Sequence, residues 1–312
     1  MRMLTSRRVR RTRVCVYRLI SGVGLAVILI LVLYPVENER ERINLSETAF
    51  KNIESVQIRN GFVFLQMINA AYIPMTLNWI CGVSTSVLEK CVFLATDTIA
   101  AEKLKELQMN VLHQNMNSFE LRFGTRDYYL YMLQRTRVVE QLLERGINTW
   151  IIESDATWLR DPSNELVKYQ NYDVIAGHDG TLVDIDPQPQ GGFIFLNATE
   201  RTLRLWRHIR RRQEIQLRIF RFFRTRAAGN EMLILRKRLH MVRWTLFDSR
   251  NFVSGLWYTD EYFQSQTNPF VIQNNWLAGN EAKIERAKLW AHWFLDSNAE
   301  CRRKRSSPLT LS

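Results

Sequence analysis

Two carboxylates one residue apart, Glu153 and Asp155, follow directly on the apolar run Trp150-Ile151-Ile152. A hard divalent cation that bridges a diphosphate takes a few carboxylate oxygens and fills its other positions with water and phosphate. An acidic turn at a strand end supplies such oxygens, and Ser154 between the acids adds a further polar contact. The cation would then stabilise charge developing on a departing nucleoside diphosphate. Acid-x-acid is a common pattern, so its meaning rests on what surrounds it.

Other residues of suitable chemistry stand in comparable places. Thr96 and Asp97 follow Val92-Phe93-Leu94-Ala95, Asp179 follows Val174-Ile175-Ala176, and Gln273, Asn274 and Asn275 follow Val271-Ile272. Asp97 reads either as a contact to a nucleoside or as the cap of a helix starting near Ala100. Gly191 and Gly192 either admit a ligand to the backbone or make a tight turn into a strand. Lys283 and Arg137 are cations for a diphosphate or solvated helix residues. Trp276, beside Asn275, is an acceptor platform or part of the core.

These positions are set by short apolar runs that alternate with helical stretches. Phe62 to Leu65, Val92 to Ala95, Trp150 to Ile152 and Val174 to Ala176 read as strands buried on both faces, and Phe193 to Leu196 and Val271-Ile272 as two more. Ala100 to Gln108 reads as a helix, as does Tyr128 to Arg145, with Val138, Val139, Leu142 and Leu143 on one face and Gly146 as a left-handed cap. The alternation predicts an α/β domain with a doubly wound, mostly parallel sheet. Ligands of such sheets bind beyond the carboxyl ends of the strands, where the polar residues above lie. The chain shows no Gly-x-Gly-x-x-Gly turn, Walker loop or Gly-x-Ser-x-Gly elbow, which disfavours dinucleotide enzymes, P-loop proteins and serine hydrolases.

The net charge of +12 is concentrated at the ends: seven arginines precede residue 19 and four basic residues run from Arg302 to Arg305. The body between is close to neutral, which argues against a nucleic-acid partner. After the arginines comes an uncharged run of 16 residues, Leu19 to Tyr34, without a small-x-small cleavage pattern behind it. It reads as a transmembrane signal anchor over 19–35, in place of a cleaved signal peptide. The basic tail 1–18 would stay in the cytosol and the body would face the lumen, a type II topology. Residues 36–56 are polar without apolar periodicity and read as a luminal stem, followed by one catalytic domain over 57–298 and a basic tail over 299–312. Asn44 and Asn197 stand in glycosylation sequons, and an oxidising lumen would allow Cys81 to pair with Cys91, leaving Cys301 over. In the stretch Arg201 to Arg226, Arg204, Arg207, Arg211 and Arg218 recur at helical spacing opposite Leu203, Trp206 and Ile209, forming a solvated face or a contact for polyanions.

Several ordered motifs carry a resemblance. They are Asn69-Ala70-Ala71-Tyr72-Ile73-Pro74, Leu77-Asn78-Trp79, Leu142-Leu143-Glu144-Arg145-Gly146, the acidic turn running into Trp158-Leu159-Arg160-Asp161-Pro162, Gly191-Gly192-Phe193, Asn275-Trp276 and Ala282 to Arg286. In that order the body resembles the nucleotide-diphospho-sugar transferase family of GT-A-fold glycosyltransferases, which includes plant xylosyl- and arabinosyltransferases. The resemblance implies a Golgi glycosyltransferase that uses Mn²⁺ or Mg²⁺ and moves a sugar from a UDP-sugar donor to a glycan or glycoprotein hydroxyl, with retention. It places Asp155 and Glu153 in the family's Asp-x-Asp metal motif, beside which Thr96, Asp97, Arg137, Ser154, Gly191, Gly192 and Lys283 are the candidate donor contacts and Asn275 and Trp276 the candidate acceptor contacts. Two positions depart from the pattern: Glu153 replaces an aspartate, and Gln273 stands where a metal-binding histidine is expected. The departures leave an inactive luminal binding protein of the same fold as the alternative.

Overall fold

The computed structural model describes residues 44–116, 120–182, 188–223 and 231–302. The basic N-terminal tail, the apolar run of 19–35 and residues 303–312 lie outside them. Among the described residues, no helix is long and apolar enough to cross a membrane.

In chain order the helices are α1 (Glu47–Asn60), α2 (Ile73–Gly82), α3 (Thr85–Leu88), α4 (Thr98–Glu106), α5 (Arg126–Glu144), α6 (Glu200–Phe223), α7 (Glu231–Arg236), α8 (Glu261–Ser265) and α9 (Asn280–Leu289). The strands are β1 (Val63–Ile68), β2 (Cys91–Ala95), β3 (Val111–His113), β4 (Thr149–Ile152), β5 (Thr157–Trp158), β6 (Val174–His178), β7 (Pro189–Leu196), β8 (Trp244–Leu246), β9 (Phe252–Val253) and β10 (Val271–Ile272). Seven strands form one sheet in the order β3-β2-β1-β4-β7-β6-β8, parallel except for β7, and β5, β10 and β9 form a second, smaller sheet.

The central strands are apolar on both sides, and the period of two sorts their residues between two cores. Val63, Leu65, Val92, Leu94, Ile151, Ile194 and Leu196 face one side, where α1, α5, α6 and α7 cover them. Phe64, Phe93, Trp150, Ile152, Phe193 and Phe195 face the other, covered by α2, α3, α4 and the small sheet. Helices on both faces of a mostly parallel sheet match the α/β expectation. Gly146 closes α5 with φ of 73°, the left-handed conformation predicted for it.

Three boundaries or pairings differ from the sequence reading. The second half of the predicted stem is helix α1: Ser46 accepts a hydrogen bond from Ala49 N at its start, and Phe50, Ile53 and Val56 are buried against the sheet. Only three residues of its fourteen are buried apolar ones, too sparse to show as a stripe, yet they suffice to dock the helix. Cys81 bonds to Cys301, with their Cα atoms 5.5 Å apart, so the Cys81–Cys91 pairing is corrected. Cys91 instead lies fully buried on β2 with its thiol donating to Val87 O at 3.2 Å, because strand alternation turns it into the core. The bridge also ties residues to 301 into the domain, beyond the predicted end at 298. Asn78 holds that C-terminal segment from α2, donating to His292 O at 3.0 Å and accepting from Phe294 N at 2.6 Å.

Candidate active site

The parallel strands β1, β2 and β4 end side by side, and the polar residues after them converge there. Past β4 the chain makes the turn Glu153 to Ala156 and immediately enters β5, which pairs antiparallel with β10. In that register Ile272 lies opposite Thr157. Carried one step further, it sets Gln273 beside the acidic turn. Lys283, on α9, reaches the same turn: its Nζ donates to Asp155 Oδ2 at 2.5 Å. The other oxygen, Oδ1, is buried and has no hydrogen-bond partner. Burial alone would lower the Lys283 pKa, but the carboxylate of Asp155 and the nearby Glu153 reverse the effect and raise it. Tyr72 stands in the same field, its hydroxyl pushed up to about 12 by burial, with Lys283 opposing and Glu153 and Asp155 reinforcing the shift.

Glu153 meets a second cation. Arg135 Nη1 lies 3.4 Å from Glu153 Oε1, and its Nη2 donates to Gly191 O at 3.2 Å. A methyl group placed on Gly192 would sit on the Glu153 carboxylate, so this glycine gives room to a side chain of the protein itself.

Beside this pair opens a cavity of about 260 Å³. Arg135, Glu153, Asp179 and Asn275 supply its polar side; Phe123, Tyr129, Met132 and Met232 supply an apolar wall. Asp179 Oδ1 accepts from Asn275 Nδ2 at 2.6 Å and from Trp276 Nε1 at 3.1 Å. Burial raises its pKa, and these two donors only partly offset that. Arg286 locks the neighbouring loop through Asn274 Oδ1 and Asn275 O, each at 2.6 Å.

The site thus gathers Glu153, Ser154, Asp155, Gly191, Gly192, Gln273, Asn275, Trp276 and Lys283. Of the predicted donor residues Arg137 is placed elsewhere, whereas Thr96 and Asp97 stand at the end of β2 but are engaged in contacts within the protein. Arg137 lies on the other face of α5 from Arg135 and pairs with Glu214 of α6 at 2.8 Å, because two residues turn a helix by about 200°. Thr96 is fully buried, with its hydroxyl donating to Ile68 O at 3.2 Å. Asp97 accepts from Ala100 N at 2.8 Å as the cap of α4 and from Ala70 N at 2.6 Å, so its two oxygens hold the loop after β1. Trp276 is exposed, not core. The sequence reading missed Arg135, although a signal existed: it stands in register with Val138, Val139 and Leu142, a charged residue on an apolar stripe that must meet a partner.

The metal implied by the resemblance can be tested against this donor set. A hard cation needs carboxylate oxygens free to turn toward it. Here Asp155 is held by Lys283, Glu153 by Arg135, and an amide replaces the third ligand, with the Gln273 Nε2 buried and unpartnered. Among the described residues no three His, Cys, Asp or Glu side chains gather into a metal seat. The residues do not fit the cation.

Of the sequons, Asn44 is exposed, whereas Asn197 donates its Nδ2 to Tyr172 O at 2.5 Å and is half-buried.

A family model described as nucleotide-diphospho-sugar transferase matches residues 86–287. A UDP-D-xylose:L-fucose alpha-1,3-D-xylosyltransferase of Arabidopsis thaliana is 23% identical over 271 residues, covering 77% of this chain and 71% of that protein. A second Arabidopsis thaliana protein so named, numbered 1, is 22% identical over 274 residues, covering 77% and 73%. Among solved structures, a glycosyltransferase involved in glycosylation of the major capsid of PBCV-1 aligns with a TM-score of 0.44 at 11% identity, over 74% of this chain and 98% of that one. The glycosyltransferase GlyE of Streptococcus pneumoniae TIGR4 aligns with a TM-score of 0.45 at 12% identity, over 75% and 61%.

Proposed function

Since the chain belongs to the nucleotide-diphospho-sugar transferase family and is a glycosyltransferase, we propose that it transfers a sugar from a UDP-linked donor to a glycan or glycoprotein hydroxyl. The observation that carries the reading is the joining of two features at the ends of β1, β2 and β4. One is an acidic turn held by Lys283; the other is an adjoining cavity with a polar side and an apolar wall. The donor's diphosphate lies against Lys283. Ser154 and the backbone near Gly191 and Gly192 border its sugar, and the acceptor enters the cavity over Asp179, Asn275 and Trp276. The apolar wall suits the carbon face of a sugar ring, and Asp179 accepts from a sugar hydroxyl.

Catalysis in this arrangement rests on positioning and on charge. Holding donor and acceptor together makes the transfer effectively unimolecular. The Lys283 ammonium is already in place before charge builds on the departing nucleoside diphosphate, so it needs no reorganisation at that moment. The Golgi address, with the apolar run of 19–35 as a type II anchor in the lipid bilayer, belongs to the same proposal. It draws support from the Cys81–Cys301 bridge, which suits an oxidising lumen.

The test is a panel of UDP- and GDP-sugars, UDP-xylose first, offered to the purified full chain with fucosylated and other glycan acceptors. Release of nucleoside diphosphate and a sugar-extended acceptor are expected with one UDP-sugar. If every donor in the panel stays intact, the proposal is wrong.

A further inference from the structure

We propose that this enzyme binds its nucleoside diphosphate without a bridging divalent cation, the charge of the diphosphate being met by Lys283. The inference rests on the donor reading above and deepens it. The acidic turn then serves as the seat of protein cations: Asp155 orients the Lys283 ammonium, and Glu153 anchors Arg135.

Three observations carry it. First, the Lys283–Asp155 pair is sheltered, with the two side chains 20% and 9% exposed, and the ammonium keeps two further N–H donors. A divalent ion bound at Asp155 Oδ2 would evict Lys283 and leave a sheltered ammonium unpaired, which opposes its binding. A diphosphate approaching Lys283 needs no such eviction.

Second, Glu153 is pinned from two sides. The Arg135 guanidinium, itself 6% exposed, faces one of its oxygens, and the backbone at Gly192 packs so closely on the carboxylate that a Cβ there would overlap it. Rotating Glu153 toward a metal beside Asp155 would abandon both contacts.

Third, the position that would complete a ligand set holds an uncharged amide: Gln273 is 3% exposed and can offer a cation at most one neutral oxygen, where a carboxylate or imidazole would bind it more strongly. Asp155 Oδ1 has no hydrogen-bond partner and is itself buried, which leaves a hydrated ion little room to reach it.

The readings make opposite predictions for one substitution. If Asp155 is a metal ligand, Asp155→Asn loses the metal and the nucleotide with it. If Asp155 only orients Lys283, the same substitution removes a negative charge next to the diphosphate while keeping a hydrogen-bond acceptor, and nucleotide binding holds or tightens.

The experiment is calorimetric titration of UDP into the purified full chain, once with Mn²⁺ and once with EDTA, followed by Asp155→Asn and Lys283→Ala under both conditions. The expected result is a Kd for UDP that agrees between Mn²⁺ and EDTA within about threefold. Asp155→Asn should bind as tightly as the unsubstituted chain or up to about tenfold tighter, and Lys283→Ala should bind at least about tenfold more weakly in both buffers. UDP binding that falls about tenfold or more in EDTA and returns with Mn²⁺ overturns the inference and leaves the donor reading standing. Absence of binding to UDP, GDP and CDP in both buffers overturns the donor reading and the inference together. The Mn²⁺ and EDTA comparison needs no variant, so a folding failure of either substitution leaves the test intact.

Discussion

Arg135 and Arg137 are two residues apart on α5, and the structure gives them opposite roles that one pair of substitutions separates. Arg137 is 5% exposed and 2.8 Å from Glu214, which is 18% exposed and also takes Arg210 at 3.0 Å. Removing one partner of a buried pair costs about 3–5 kcal/mol, and the remaining Arg210 contact brings the expected loss for Arg137→Met down to about 2–3 kcal/mol. At about 2–4 °C per kcal/mol for a domain of this size, the melting temperature should fall by about 4–12 °C. UDP affinity should stay within about twofold, since Arg137 faces α6 and not the site. Arg135→Met should do the reverse. Glu153 is 40% exposed, so water screens it once Arg135 is gone, and the stability loss is about 1 kcal/mol. The carboxylate, no longer opposed by the Arg135 charge beside the diphosphate, should weaken UDP binding by about tenfold. Thermal melting and UDP calorimetry on both variants read these effects directly. An Arg137→Met chain that melts normally but loses UDP would refute the placement of the two arginines and return Arg137 to the donor site.

Other consequences follow from the same contacts. Gly192→Ala puts a methyl group on the Glu153 carboxylate and should lower UDP affinity along with a stability loss of about 1–3 kcal/mol, read by calorimetry and urea unfolding. Asp173 is fully buried; burial alone would raise its pKa, but Arg201 at 2.8 Å and the Arg243 N–H bring it down to about 2. Its contribution of about 2 kcal/mol is therefore present above pH 4, decays as pH falls toward 2, and should vanish from the acid-unfolding profile of Asp173→Asn. Cys301→Ser opens a loop of 220 residues and should cost about 2–4 kcal/mol, with Cys81 gaining reactivity toward thiol reagents in the native chain while the buried Cys91 stays silent. If the body faces the lumen, Asn44→Gln should remove a glycan detectable by gel mobility, whereas Asn197→Gln should leave the mobility unchanged.

Much of this architecture was legible because its signals are local. Continuous apolar runs marked β1, β2, β4, β6 and β7, and the glycine after α5 marked its left-handed end. The strand-end rule then drew Glu153, Asp155, Asp179 and Asn275 into one site before any contact was known. The hidden parts depend on long-range pairing. β3, β5, β8 and β9 have only two or three residues each, too few for periodicity, and exist through their partners. The reversed direction of β7 follows from its pairing with β4 and β6, which no local pattern encodes. Arg135 and Arg137 differ in sequence only by helix phase, Arg135 alone being in register with the apolar stripe of Val138, Val139 and Leu142, and the partner each one meets is set by long-range packing. The cysteine pairing was misread because nearness along the chain was weighed without the strand alternation that turns Cys91 inward.

The account stands or falls on the acidic turn and Lys283 being the nucleotide-sugar site, and a structure of the full chain bound to UDP tests this most directly. The diphosphate is expected within hydrogen-bond reach of Lys283 Nζ, at the ends of β1, β2 and β4 and beside the cavity lined by Asp179 and Asn275. A nucleotide bound elsewhere, with the Lys283–Asp155 pair undisturbed and remote from it, would contradict it.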